Sequence, residues 1–554
     1  MKRLIIYIIC LSAALNITAQ VQKWQKQARQ SQVTVLAWNA NGEMRQAQGV
    51  WIDATGHAAT QYDILKGAVR ASITDAKGKE YKVLSIYGAS SLYNTAVLAT
   101  EAKKSPAPDI YTAQPSVGEQ VWLMPTSKAD AKVPATTDSI TATDLFNEIY
   151  NYITISKPLE ERQTGVPVMN STGQMIGITQ AAGRNATKAY VIDIRYAQQL
   201  RVGVMDARRP DYRDILIPKT LPQDENDALT FIYLYGTQDT LQYLAMTDAF
   251  ISQHPAVATG YTMKAEMLCA QGKYDAAASI YQNALKVKGI AQNQILFSMS
   301  RMMYQTSSLN PSPYPAWNLQ TALQTVNQAI ADYDQPIYHI LKAHCLFAQK
   351  DYQEAENEFL YACTTNMRSA ENFTYASQCR QMRGDSINNI IALQDSALAC
   401  YSKPYPRDAA PILLLRAVNL TQAGRKREAI ADYNTYEHLT GSSSLTYLFY
   451  YEREQLEAQC RMYPAALNDI ERAIKLNPGE AILYAELASL NYRVNQLDDA
   501  ERAARDAIKV NDKLPDSWRI LGIILRDKGK AEESRKSLEK AAELGDEIAA
   551  KLLK

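Results

Sequence analysis

Trp518-Arg519-Ile520-Leu521-Gly522, then Gly529, then Leu538-Glu539-Lys540-Ala541 belong to a pattern that recurs every 34 residues. Tyr450, Tyr484 and Trp518 fall on that period. So do Ala466, Ala500 and Ser534; Ile470, Ala504 and Leu538; and Ala473, Ala507 and Ala541. An aromatic opens each unit, and small residues recur where two helices must approach closely. A unit of this length holds two helices and leaves an apolar face that only a neighbouring unit can cover.

The pattern resembles the tetratricopeptide repeat (TPR), with Pro478 at the closing proline position of the repeat before last. Earlier stretches fit more loosely: Tyr261, Ala265, Gly272, Ala277, Tyr281 and Ala284; then Ala343, Ala355, Phe359 and Ala362; then Ala417, Gly424, Ala429 and Tyr433. Segments near 291–335 and 370–400 read as degenerate units, the first carrying a loop at 310–315. About eight helical pairs are expected over 224–554, one of them irregular at about 224–255, with the segment after Gly545 as a cap. A stack of this kind presents a groove lined by its first helices. Candidate protein-binding residues there are Tyr451, Gln455, Tyr492, Arg493, Arg519 and Arg526.

Upstream the period changes. Val33–Trp38, Gly49–Ile52, Thr95–Leu98, Gln120–Leu123 and Met175–Ile178 read as short strands. Turn signals separate them at Asn41-Gly42, Thr55-Gly56, Lys77-Gly78 and Thr172-Gly173. Such spacing indicates an all-β barrel or sandwich. A short amphipathic helix is expected at about 22–30, and 207–223 reads as a linker.

Three local motifs carry a second resemblance. Gly49-Val50-Trp51-Ile52 leads into Thr60-Gln61-Tyr62-Asp63-Ile64-Leu65; a strand reads Tyr93-Asn94-Thr95-Ala96-Val97-Leu98; a loop reads Gln163-Thr164-Gly165-Val166-Pro167. Together they resemble the trypsin-like (chymotrypsin/HtrA-type) serine proteases over about residues 30–205. The resemblance implies a double β-barrel, with the triad positions at Asp63, Asn94 and Thr164. In that family the three hold a histidine base, a carboxylate and a serine nucleophile. Aspartate is a poor base near neutral pH, because its ordinary pKa is about 4. Asn94 carries no charge to stabilise an imidazolium, and Thr164 keeps a hydroxyl but adds a methyl. Arg162 stands where the family has a glycine that helps to shape the oxyanion loop. The expected product is a pseudoprotease with no intact catalytic residue. His57 is the one histidine of this half and reads as a turn residue.

The N-terminus sets a charged Met1-Lys2-Arg3 before an apolar run ending at Leu15, then Thr18-Ala19. This reads as a signal peptide over 1–19. Its removal would take the net charge from +1 to −1 by losing Lys2 and Arg3, and would remove Cys10. Neither charge favours a nucleic-acid partner. The six remaining cysteines are scattered over the helical half and read as free buried thiols. No metal-ligand spacing and no phosphate-binding loop appears, so neither cofactor nor metal is expected.

The reading is multidomain, all-β plus all-α: signal peptide 1–19, trypsin-like double β-barrel 20–206, linker 207–223 and TPR-type α-solenoid 224–554. The expected function is an exported scaffold of the cell envelope. Its partners would be other proteins or extended peptides, in the periplasm or peripheral to the outer membrane, with no transmembrane span in the mature chain. The alternatives are a divergent serine-type endopeptidase whose repeats recruit substrate, and a periplasmic chaperone or assembly factor.

Overall fold

The computed structural model describes residues 24–124, 135–159, 163–180, 186–236, 240–309 and 311–554. The signal-peptide stretch, Arg162 and Asn310 lie outside them. The chain divides into two compact units, Met1–Ala291 and Gln292–Lys554.

The first unit opens with helix α1 (24–30), at the place the sequence predicts. Twelve strands follow: β1 Gln32–Asn39, β2 Met44–Trp51, β3 His57–Thr60, β4 Ala68–Asp75, β5 Glu80–Ser90, β6 Thr95–Thr100, β7 Gln120–Leu123, β8 Thr136–Phe146, β9 Tyr150–Ile155, β10 Pro167–Met169, β11 Met175–Gln180 and β12 Ala189–Asp193. They form two closed antiparallel barrels, ordered β1-β2-β3-β6-β5-β4 and β7-β8-β9-β12-β11-β10. The second order repeats the first strand for strand. This is a trypsin-like double β-barrel.

Period-two alternation shows in β1, while β6, β10 and β11 are buried almost throughout. In β1, Val33, Val35 and Ala37 point inward and are buried, while Thr34, Leu36 and Trp38 keep partial access to water. Closing the sheet on itself removes the exposed strand edges. A separate apolar layer joins the barrels: Val50, Ile52, Ala59 and Val97 meet Met124, Met169, Met175 and Ile178, with Trp24 and Ala28 of α1 laid over them.

After α2 (Ile194–Gln199) the chain returns to the first barrel through α3 (Pro210–Arg213). The stretch read as a linker is a packed strap. Tyr212, Ile215, Ile217 and Leu221 are buried in the first barrel's core. The strap also completes the backbone pairing of strands: Leu216 N–H donates to Ala68 O, Ile86 N–H to Pro218 O and Thr220 N–H to Ile86 O, at 2.8–2.9 Å. Helices α4 (Glu225–Gly236) and α5 (Thr240–Gln253) continue the same core through Phe231, Ile232, Met246 and Phe250. The pair α6 (Ala258–Ala270) and α7 (Tyr274–Ala284) ends the unit.

The second unit is a run of helical pairs: α8 Gln292–Ser307 with α9 Leu319–Asp332, α10 Pro336–Ala348 with α11 Tyr352–Cys363, α12 Ala370–Arg383 with α13 Ile387–Leu398, α14 Ala410–Gln422 with α15 Lys426–Thr440, α16 Tyr447–Gln459 with α17 Tyr463–Leu476, α18 Ala481–Arg493 with α19 Leu497–Val510, and α20 Pro515–Asp527 with α21 Ala531–Glu543. The two segments read as degenerate are therefore complete pairs. With α4/α5 and α6/α7, the described chain holds nine pairs where the sequence suggested about eight. The last helix, α22 (Glu547–Leu552), is capped by Asp546, whose carboxylate accepts from the N–H groups of Ile548 and Ala549 at 2.9 Å.

The pairs share more than apolar spacing. An ion pair links residue i of the first helix to i+16 of the second in Lys342–Glu358 (2.7 Å), Arg416–Asp432 (2.7 Å) and Arg453–Asp469 (2.6 Å). The last two are forked, both carboxylate oxygens being held.

Candidate functional site

The three residues expected at triad positions come from three separate elements. Asp63 begins a single 3-10 turn, Asp63–Leu65, after β3. Asn94 precedes β6, and Thr164 lies in the turn before β10. The structure brings the first two together. The backbone N–H of Asp63 donates to Asn94 Oδ1 at 2.9 Å, and the N–H of Tyr62 donates to the Asn94 carbonyl at 3.3 Å. Asn94 takes a left-handed backbone, φ +40°, which asparagine tolerates better than most residues. Its side chain therefore holds a backbone turn.

The Asp63 carboxylate points to solvent and pairs with Lys66 at 2.8 Å, a neighbour three residues on. That exposed pair adds little stability. Beneath it Tyr62 is buried, and its phenol is pushed up to about 12 by burial, with the charges of Asp214, Asp211 and Asp63 adding to the effect.

Thr164 is half-buried. Its neighbour Gly165 sits at φ +81° with its α-carbon against the first barrel: a β-carbon there would stand 2.7 Å from the Gln48 carbonyl and 3.2 Å from Gln61 Nε2. The threonine turn thus meets the chain two residues before Asp63. Thr179 fixes this turn: its hydroxyl donates to Gln163 O at 2.5 Å and accepts from Val166 N–H at 3.0 Å, while its carbonyl accepts from Gly165 N–H at 2.9 Å.

Next to Asn94, Tyr93 packs at 4.4 Å from Phe146 and 5.1 Å from Tyr196, and Tyr150 joins Tyr196 at 5.4 Å. This aromatic cluster spans both barrels. His57 lies at the start of β3. Its Nδ1 is 2.5 Å from Asp53, and its ring stacks on Tyr87 at 4.1 Å. Burial pushes the Asp53 carboxyl up, but the N–H groups of Thr55 and His57 outweigh it and leave the carboxyl below its ordinary value.

On the helical pairs, four of the six candidate groove residues converge on Glu486 of α18, which the sequence reading did not single out. Gln455, Arg493 and Arg519 each favour its charged form against the burial that pushes it up, and its charge acts on Tyr451. Tyr492 and Arg526 meet elsewhere, at Asp527: the Tyr492 hydroxyl donates to it at 2.5 Å and Arg526 lies 3.8 Å from it. Arg519 is held by Asp516 and Asp546. The six cysteines beyond residue 260 are free. Burial pushes the thiols of Cys345 and Cys379 up to about 12, which keeps them protonated and unreactive.

Residues 486–549 match the tetratricopeptide repeat family. The match covers α19 to α21 and most of α18. No curated protein matches the chain. Among the described residues, no group of three or more His, Cys, Asp or Glu is placed to hold a metal ion, and no helix is long and apolar enough to cross a membrane.

Proposed function

We propose that the chain is an exported, non-catalytic scaffold that binds other proteins in the cell envelope. The observation that carries this reading is the tetratricopeptide match on a run of paired helices, because such repeats expose a long first-helix surface suited to protein partners. The charged and aromatic side chains around Glu486 support it. Export and an envelope address rest on the N-terminal sequence: a basic start, a short apolar run and Ala19.

The non-catalytic part rests on what each triad position does. Asp63 has a carboxylate in contact with Lys66 and solvent, and Asn94 caps a backbone turn. Proton abstraction from Thr164 needs a general base; the Asn94 amide is not one, and the Asp63 carboxylate is engaged with Lys66. The barrel pair serves this account as a docking body for extended peptide.

The test is incubation of the full chain with a diverse peptide library, read by mass spectrometry beside Thr164→Ala. The same background hydrolysis in both supports the proposal. Cleavage by the wild type that Thr164→Ala abolishes would replace it with a peptidase.

A further inference from the structure

Seven helical pairs close through a residue of positive φ: Gly272, Lys350, Gly384, Gly424, Arg461, Asn495 and Gly529. Seven positions before each stands Ala265, Ala343, Ser377, Ala417, Glu454, Ala488 and Gly522. All seven are buried. Six are small, for a visible reason: a β-carbon on Gly522 would lie 2.7 Å from Leu538 of the facing helix. This is where the two helices of a pair touch. Glu454 alone puts a long acid there.

Glu454 is fully buried. One oxygen accepts from the Gln455 amide at 2.8 Å; the other, Oε1, has no hydrogen-bond partner. A buried oxygen left in this state is unsatisfied whether or not it carries a proton, and calls for a partner. The surroundings supply further acids. Glu486 of α18 and Asp469 of α17 add negative charge around it, and Glu457 lies one turn on with its own Oε2 unpartnered. No nearby cation is paired with the orphan oxygen, although Arg493 and Arg519 offset part of the charge of Glu486. Arg453 is committed to Asp469 and Glu437, Arg519 to Asp516 and Asp546, and Arg493 is exposed at the end of α18. Tyr451 feels four carboxylates: Glu486, Glu454, Glu480 and Asp516.

We propose that Glu454 and Glu486, walled by Tyr451, form a subsite for a lysine ammonium or arginine guanidinium carried by a bound protein. The cation takes the acceptor position on Glu454 that the half-buried Gln455 amide now fills, and it gives Oε1 the partner it lacks. Alanine would satisfy the packing at this crossing, so the acid is explained by the ligand. The inference rests on the scaffold reading and specifies what its groove selects.

Proton linkage follows. Burial, with Glu486 beside it, pushes Glu454 up to about 8, so the empty site holds a proton near neutral pH. An incoming cation displaces that proton, and binding tightens from about pH 6 to about pH 8.

The test is thermal unfolding of the full chain with butylguanidinium chloride, a mimic of the side chain, against sodium chloride of equal ionic strength and against butanol. Butylguanidinium is expected to raise the melting temperature of the wild type, more at pH 8 than at pH 6, and butanol is not. Glu454→Ala and Glu454→Gln lose the cation-specific shift, while Glu454→Ala itself melts above the wild type. Absence of the shift in the wild type, an equal shift in both variants, or a Glu454→Ala that melts lower would each overturn the subsite. The small probe needs no protein partner, so a failed scaffold and a failed subsite give different results.

Discussion

The backbone N–H of Asp63 donates to Oδ1 of Asn94 at 2.9 Å, joining two of the three expected triad positions at the ends of the neighbouring strands β3 and β6. Asn94, expected where a trypsin-like protease carries its carboxylate, instead caps the turn that begins at Asp63. Asn94→Ala removes the cap and puts at φ +40° a residue that tolerates the left-handed backbone less well than asparagine. The expected cost is about 1–2 kcal/mol, read by chemical denaturation of the first unit. A neutral result would show that the contact is incidental.

Gly165→Ala tests the second barrel's approach to the first. The left-handed backbone and the Gln48 carbonyl, 2.7 Å from the added carbon, both oppose it. A loss of about 2 kcal/mol or more is expected. Full stability in the variant would mean that the Thr164 turn is not seated as described.

Lys219 gives the first unit a distinctive pH profile. It is buried, donates to the carbonyls of Ile215 and Ile217, and lies 5.1 Å from the centre of the Tyr235 ring. Burial lowers its pKa to about 7, below its unfolded value. Between those values the unfolded chain binds more protons, so stability rises with pH from about 7 to about 10. Lys219→Met is expected to melt higher at pH 7 and to lose this slope. A lower melting point would mark the ammonium's carbonyl contacts as net stabilising.

The second unit slopes the other way. Glu454 and Glu457 are pushed up to about 8 and about 7, chiefly by burial. From about pH 4.5 to about pH 8 the folded chain holds protons that the unfolded chain has lost, so stability falls as pH rises. Glu454→Ala should flatten the profile in that window. An unchanged slope would mean that Glu454 is ionised when folded.

Arg453 anchors the pair beside that acid. It is buried, with Asp469 at 2.6 Å and Glu437 at 2.7 Å. Arg453→Met strands the buried Asp469 carboxylate, and a loss of about 3–5 kcal/mol is expected in denaturant unfolding. Restoration by a second change, Asp469→Leu, would identify the stranded charge as the cause.

The 34-residue recurrence made the later pairs legible, because the aromatic, the small residues and the turn all fall on one period. The pairs at 292–332 and 370–398 were harder to see: their first helices carry polar runs, and 310–315 interrupts the spacing. The strap at 207–223 misled for a similar reason. Its prolines and charges have linker composition, while Tyr212, Ile215, Ile217 and Leu221 are spaced for neither a helix nor a full strand, yet all four are buried. At the candidate sites, motif spacing singled out Asp63, Asn94 and Thr164, but it could not show Asn94 capping the Asp63 turn. It overlooked Glu454 and Glu486 because an acid on a helix reads as part of a solvated face. Only counting back from the positive-φ turn sets Glu454 against Ala417, Ala488 and Gly522.

The central claim is that this chain works by holding other proteins. The most direct measurement is affinity purification of the C-terminally tagged, natively expressed chain from gently solubilised cell envelopes, with quantitative mass spectrometry. The account predicts one partner at near-stoichiometric yield that survives moderate salt. The chain recovered alone, or with only a spread of substoichiometric proteins, would contradict it.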